Sequence, residues 1–269
     1  MSKELIPCPS SAMHAGEFVA RLQRYAITSH AADHPLLAAL GQGAFHDLRG
    51  ALRRFLREYY VYSRNFTRYL GAVMSNLESS EHRALLSSNA AEEAGLLDAC
   101  HAEELRRVGI DPEAACAPHP ELYRRFLRAI EIDPDTCLRT PPHLATQVFC
   151  ETFHDICRFG GQGQSIGALG IATEGIVRQM YGRLLAAIAR AWPSLPPRDR
   201  VFFDLHATVD DDHARVLLGI AQDMAEVPEG RRQLALGTLK ALQARAAFFD
   251  QMMMLLRGED ASEVPASRC

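Results

Sequence analysis

The residues best suited to chemistry stand between 202 and 215, in the run Phe-Phe-Asp-Leu-His-Ala-Thr-Val-Asp-Asp-Asp-His-Ala-Arg. His206, Asp210 and His213 are spaced i, i+4 and i+7, and at 3.6 residues per turn such offsets share one helical face. Two imidazoles and a carboxylate pointing the same way are ligands for a transition metal ion. Their apolar neighbours, Phe202, Phe203, Leu205, Val209, Leu217 and Leu218, are those of a buried helix, so the triplet is not a solvated charged face. Asp211 and Asp212 fall off that face.

Three ligands on one helix leave a site open, and other helices must add charge if it is to hold a hard, redox-active ion. Glu174 sits mid-helix among Ile171, Ile176, Val177 and Met180, where a carboxylate should be paired or coordinated. Composition alone favours the plainer reading, a salt bridge to Arg178 one turn on. A second source is Asn89-Ala-Ala-Glu-Glu-Ala-Gly95 with His101 downstream. Glu93 and His101 are eight residues apart, about a quarter-turn off a common face, and converge if the helix unwinds near Gly95. Glu92 faces away from His101. Glu151-Thr-Phe-His154 has the spacing of di-iron bundles, which need that motif twice; one copy makes these core or supporting residues and the main alternative ligand source. Gly160-Gly161-Gln162-Gly163 is no phosphate loop, because no strand precedes it and no Walker lysine follows.

The elements that must position these groups read as helices throughout. Residues 1–13 lack periodicity and form a flexible lead-in. A short helix over 17–29 and a brief one after Pro35 precede a long helix from Phe45 to about Leu77, whose Leu48, Leu52, Phe55, Leu56, Tyr59, Tyr62, Phe66 and Leu70 recur at threes and fours. This aromatic stripe is core, with Tyr59, Tyr62 and Tyr69 placed to line a pocket. Further helices are predicted over 81–108, 120–132 and 142–159. Gly160–Gln164 should break or bend the chain, since glycine costs about 1 kcal/mol relative to alanine in a helix. Helix resumes over 166–192, continues as the ligand helix over 198–226, and ends with an amphipathic helix over 229–256. No strand alternation, repeat or sustained heptad appears. The prediction is an all-α bundle of about seven helices, one domain over 14–257, with 258–269 a disordered tail.

Composition supports that frame. With 269 residues, 48% hydrophobic and 23% charged, the chain can bury a large core. A net charge of -4 and scattered arginines argue against nucleic acid and acidic membranes as partners. No apolar run reaches bilayer length and the N-terminus lacks a signal pattern, so the expectation is a cytoplasmic protein. The seven cysteines contain no Cys-x-x-Cys pair, and most are expected to be buried thiols. Lys3 and Lys240 are the only lysines.

Taken together, these motifs resemble those of the heme-oxygenase-like di-iron oxidases and oxygenases, a seven-helix fold shared with the pyrroloquinoline-quinone-forming oxidase and thiaminase II. The resemblance covers most of residues 35–256. It rests on Glu93 and His101 in Asn-x3-Glu-x-Gly-x5-His, Glu174 in Thr-Glu-Gly-Ile-Val, and the His206, Asp210, His213 run. It implies that these six residues bind two iron ions cycling between Fe(II) and Fe(III), with Glu174 bridging, His101 and Glu93 completing one iron, His206, Asp210 and His213 mostly on the other, Glu174 and Glu93 catalytic, O2 as co-substrate and an external electron donor. It further implies a small-molecule substrate, a homodimer and a reductase partner. Family reactions include oxygenation of amines, carbon-carbon cleavage or desaturation of amino and fatty acids, and formation of para-aminobenzoate from a tyrosine of the chain itself. The last relies on a lysine near the site and is set aside on the lysine count. N-oxygenation of an amine in a biosynthetic pathway is the preferred expectation. A metal-free pocket protein of the same fold and a non-catalytic binding protein are the alternatives from other classes.

Overall fold

The computed structural model describes residues 5–10, 12–208 and 211–258, with the side chains of 211–213 outside the description. The elements are α1 (Ala15–Ile27), α2 (Pro35–Gln42), α3 (Leu48–Ser63), α4 (Phe66–Asn76), α5 (Ser80–Glu93), α6 (Ala99–Arg107), α7 (Pro112–Ala115), α8 (His119–Ala129), α9 (Pro134–Arg139), α10 (Leu144–Phe159), α11 (Gly161–Ile166), a π-helix (Gly167–Glu174), α12 (Gly175–Ala191), α13 (Pro197–Thr208), α14 (Asp211–Met224) and α15 (Pro228–Arg257). There is no strand among the described residues, and the all-α class stands. The expected tail and part of the lead-in, residues 1–4, 11 and 259–269, lie outside the described residues. No described helix is long and apolar enough to cross a membrane.

The helices are more numerous and shorter than the seven expected, for local reasons. The long helix over 45–77 divides at Arg64 and Asn65, because the Asn65 side-chain amide donates to the Val61 carbonyl at 2.9 Å, offering the backbone an alternative to the next helical turn. The helix over 81–108 stops at Glu93, passes through Gly95 at φ +80°, and restarts only where the Asp98 carboxylate accepts from the His101 backbone N–H. The predicted glycine break is found: α10 ends at Gly160, and Gly161 has φ +69°. The ligand helix over 198–226 is described as α13 and α14, with residues 209 and 210 outside the description.

α15 packs along the π-helix, α10 and α11, while α12 packs against α2 and α13, and α13 against α8. α15 also lies close against the segment that leads into the π-helix. A Cβ on Gly237 would lie 2.0 Å from the Gln164 carbonyl oxygen, and one on Gly167 would lie 2.3 Å from that of Leu234. Across this contact the Thr238 hydroxyl reaches the Gly167 carbonyl at 3.1 Å and the Leu234 carbonyl at 2.8 Å. The eight residues of the π-helix are all buried. Of the cysteines described, Cys137 and Cys157 are buried, Cys150 is half-buried, and Cys8, Cys100 and Cys116 are exposed, so the expectation of mostly buried thiols does not hold.

The clash at Gly237 is with backbone, which cannot rotate away. Gly237→Ala is therefore expected to destabilise the chain by about 1–3 kcal/mol, as overpacking does. Urea unfolding would show a lower midpoint, and an unchanged midpoint would contradict the contact.

Candidate metal centre

Glu93 is the last residue of α5, on the buried face that Leu86 and Asn89 begin. What brings it to the site is Gly95: a Cβ there would lie 2.3 Å from the Ala117 carbonyl carbon, so glycine alone lets the end of α5 rest against the chain entering α8. α8 opens with His119, and its Nδ1 is 3.0 Å from Glu93 Oε2. His206 comes from α13, held against α8 by Phe126 on Phe203, ring centroids 4.7 Å apart. The His119 and His206 rings stand edge to face at 4.9 Å. Donor atoms of Glu93, His119 and His206 all lie within 4.8 Å of one another.

The pocket around them is also lined by Glu174, Thr173, Tyr59, Tyr62, Tyr181 and Arg245. Its central cavity is about 20 Å³, room for about one water molecule, and the mouth brings the space between atoms to about 430 Å³. Glu174 is the last residue of the π-helix and only 6% exposed. Arg178, one turn on from Glu174, is exposed, and Glu174 lines the pocket.

The donor set suits a metal ion. The His206 Nδ1 donates to the Phe202 carbonyl at 2.6 Å, which makes Nε2 the nitrogen with the lone pair, the arrangement usual for a metal-ligating imidazole. His119 Nδ1 is buried and close to Glu93 Oε2 without hydrogen-bond alignment. Two donors about 3 Å apart and not bonded to each other match neighbouring ligand atoms on one ion at about 2 Å from each.

Of the six residues named from the sequence, Glu93, Glu174 and His206 meet at this pocket. His101 does not line it. Its Nε2 is 3.1 Å from Glu92 Oε1 and its Nδ1 2.9 Å from Asp98 Oδ1, so the unwinding at Gly95 turns His101 toward Glu92, the reverse of the expected pairing. Asp210 lies outside the described residues, and so does the side chain of His213. Glu151 and His154 are exposed beside Arg68 and Asn65 and support nothing in the pocket. Tyr59 and Tyr62 line the pocket as expected, while Tyr69 lies behind Tyr62, ring centroids 5.6 Å apart.

Sequence reasoning misses His119, Tyr181 and Arg245. His119 has no fixed spacing to Glu93, and its partnership depends on the turn at Gly95. For Arg245 a signal existed: it stands in Ala-Arg-Ala-Ala-Phe-Phe, an arginine amid apolar residues of the last helix.

A model of iron-containing redox enzymes matches residues 53–246. The chain belongs to that family. Family membership makes it an iron-containing oxidoreductase. It is 25% identical over 221 residues to a 4-aminobenzoate synthase of Nitrosomonas europaea, covering 82% of this chain and 85% of the relative. It is 21% identical over 198 residues to a 4-aminobenzoate synthase of Chlamydia trachomatis, covering 74% and 76%. Setting aside the aminobenzoate-forming type on the lysine count therefore does not hold. Among solved structures, the fold is similar to a CADD-like protein of unknown function from Nostoc punctiforme, with TM-score 0.67, 12% identity and coverage of 93% and 97%. It is also similar to a TenA homologue from Pseudomonas syringae, with TM-score 0.66, 10% identity and coverage of 91% and 95%. A protein from Shewanella denitrificans described as having a heme oxygenase-like fold gives a TM-score of 0.64 at 16% identity over 93% of this chain and 98% of that one. The expected heme-oxygenase-like fold is the observed one.

Burial raises the pKa values of the Tyr62 and Tyr181 phenols, in Tyr62 against the opposing pull of Arg245. Both are expected to stay protonated in the folded chain through the usual tyrosine titration range. An ultraviolet pH titration of wild type against Tyr62→Phe and Tyr181→Phe checks this. A phenolate signal lost in either variant, yet appearing near pH 10 without unfolding in wild type, would contradict it.

Proposed function

We propose that this chain is a non-heme di-iron, O2-dependent oxygenase or oxidase acting on a small organic substrate in a biosynthetic pathway, with N-oxygenation of an amine as the first reading. The observation that carries it is the convergence of Glu93, His119 and His206 in a pocket that Glu174 also lines. Glu93, His119 and His206 would hold one ion, Glu174 would bridge to the second, and Asp210 and His213 would complete the second. Bound iron would supply the electrons and open coordination positions that O2 chemistry requires.

The chain's own residues set the conditions for that chemistry. The bond from His206 to the Phe202 carbonyl fixes its tautomer and ring orientation. Phe202 and Tyr181 pack on the His206 ring at 4.4 and 5.2 Å, keeping bulk water from that side. Burial holds Tyr62 as a neutral phenol, so it does not compete for metal as a phenolate. The small central cavity admits a diatomic gas more readily than a large substrate, which must enter from the mouth.

A second reading is favoured by the tyrosines. Tyr59, Tyr62 and Tyr181 all line the pocket, and relatives bear the name 4-aminobenzoate synthase, so one of these side chains would itself be consumed. Intact-protein mass after aerobic turnover separates the two readings. Loss of tyrosine mass supports self-consumption, and an unchanged chain with released product supports a free substrate.

Anaerobic Fe(II) titration followed by mixing with O2 tests the metal centre. Wild type is expected to take up two irons per chain and give a transient visible absorption. His119→Ala and His206→Ala should each lower uptake, whereas His101→Ala should retain it. Loss of iron in His101→Ala with retention in His119→Ala would restore the ligand set implied by resemblance, and no uptake by wild type would end the proposal.

A further inference from the structure

Three tyrosine rings stand in series from the metal pocket toward the surface. Tyr59 and Tyr62 line the pocket with ring centroids 5.6 Å apart, and Tyr62 stacks on Tyr69 at 5.6 Å with 29° between the planes. The Tyr69 hydroxyl donates to the Cys150 sulfur, and both side chains line an open cavity whose wall also holds Glu151, His154 and Asp155. Rings in such contact can pass single electrons. An oxidising centre in the pocket is thus joined to the surface by a route along which its oxidising equivalents could escape.

Arg245 stands at the middle of that route. Its Nη2 donates to Tyr62 Oη and Thr173 Oγ1, each at 3.0 Å, and its guanidinium carbon lies 5.0 Å from the Tyr62 ring centroid. It is 1% exposed, and among the described residues no carboxylate is in ion-pair contact with it. A phenol gives up an electron readily only when its proton leaves as well, so that a neutral radical forms. Neither partner of Tyr62 Oη is a base. Arginine has no acceptor and keeps its protons, and the Thr173 hydroxyl already donates to the Ala168 carbonyl at 3.0 Å. Loss of an electron from Tyr62 would therefore leave a radical cation beside a buried positive charge, where a low dielectric strengthens the repulsion. Tyr69 differs, because its cavity offers carboxylates and an imidazole that take up a proton.

We infer that Arg245 insulates the pocket: by denying Tyr62 a proton acceptor and opposing positive charge on its ring, it confines one-electron oxidation to the pocket and bars the route through Tyr69 to Cys150. In the barred step the oxidant gains one electron, Tyr62 loses an electron and a proton, and Tyr69 refills Tyr62 by losing one of each. The oxidant in the working protein is iron oxidised by O2, so the purpose of the barrier rests on the metal centre proposed above. The barrier itself is a property of the chain. Arg245 is a positioning residue that acts through Tyr62.

The first test uses the full iron-free chain, so that its outcome is separate from metal binding. Flash-oxidised tris(bipyridine)ruthenium, with a cobalt(III) ammine as electron acceptor, attacks from outside. Oxidised residues are mapped by peptide mass and radicals by electron paramagnetic resonance. In wild type, oxidation should reach Cys150 and Tyr69 and stop there. In Arg245→Gln, oxidation at Tyr59 and Tyr181 should rise about tenfold or more, the least that removing a unit charge at this range should give. Arg245→Lys, which keeps the charge, should resemble wild type. Thr173→Asp keeps the guanidinium but pairs its charge and supplies a base, so it should open the route as Arg245→Gln does. Adding Tyr62→Phe to Arg245→Gln should close it again, which a merely loosened structure would not do.

Oxidation of Tyr59 or Tyr181 from outside in wild type, none at Cys150 or Tyr69, or a route still open in the double variant would each overturn the inference. So would folded Arg245→Gln with the wild-type pattern, and if that variant does not fold, Thr173→Asp decides. The same map is then made after mixing iron-loaded chain with O2, where wild type should be oxidised only within the pocket and Arg245→Gln also at Tyr69 and Cys150. A barrier in the iron-free chain without iron uptake would sink the metal reading and leave the insulation standing. Iron uptake with Tyr69 oxidised in wild type would do the reverse.

Discussion

The structure depends on how closely α15 approaches the chain between Gln164 and Gly167. Backbone meets backbone there, with Gly237 against the Gln164 carbonyl and Gly167 against that of Leu234, and no side chain could intervene. Such an approach lets Thr238 bond the Gly167 carbonyl from the neighbouring helix. The first carbonyl of the π-helix is thereby satisfied from outside, and the second, Ala168, accepts from Thr173 within it. A π-helix is an uncommon conformation, and this one persists because its surroundings complete its hydrogen bonds. Its wider turn delivers Thr173 and Glu174 together to the pocket, one toward Arg245 and the other among the donors.

The same contact explains why a charged residue can live in the core. α15 brings Arg245 to the π-helix two turns after Thr238, and the ring faces of Tyr62 and Phe149 cover it from α3 and α10. Cation-π contact and two neutral acceptors offset part of the desolvation of a guanidinium, and they do so without a carboxylate that would compete for metal. The helices that build the rest of the pocket are joined through aromatic contacts. Tyr181 touches Tyr59, Phe202, Phe203 and His206, linking α12 to α3 and α13 through one ring. A polar pocket in an all-α core is thus held by rings that leave few voids, which is why its central cavity is small.

What the sequence revealed follows from how local each signal was. His206 was legible because its apolar neighbours stand on the same helix, whereas Glu174, conspicuous amid Ile171, Ile176 and Met180, became a ligand candidate only through the resemblance, since composition alone favoured a salt bridge to Arg178. Helical class and the break at Gly160–Gly161 were legible from periodicity and glycine. The pairing of Glu93 with His119 was not, because it is decided by Gly95 and the chain at Ala117, a contact between segments whose spacing obeys no helical rule. The division of the long tyrosine helix was hidden in one asparagine whose side chain bonds its own backbone. Helical periodicity continues across Asn65 because the core lies on the same side of both halves, so a pattern of burial could not expose the change of direction. Glu151 and His154 mislead for the opposite reason: a spacing right for a metal motif sits on a face that the described residues leave exposed.

The choice of arginine over lysine bears on the chemistry. With two lysines in the whole chain, and Lys240 outside the pocket with its ammonium donating to Gln164 Oε1 at 2.8 Å, the described pocket contains no primary amine. Lysine can lose its proton when buried and act as a base, a nucleophile or a nitrogen donor, whereas arginine keeps its charge and offers a fixed fork. Arg245 therefore contributes charge and orientation where a lysine would also contribute reactivity. If aminobenzoate formation in this chain needs nitrogen from an amine, that amine must come from outside the pocket described here.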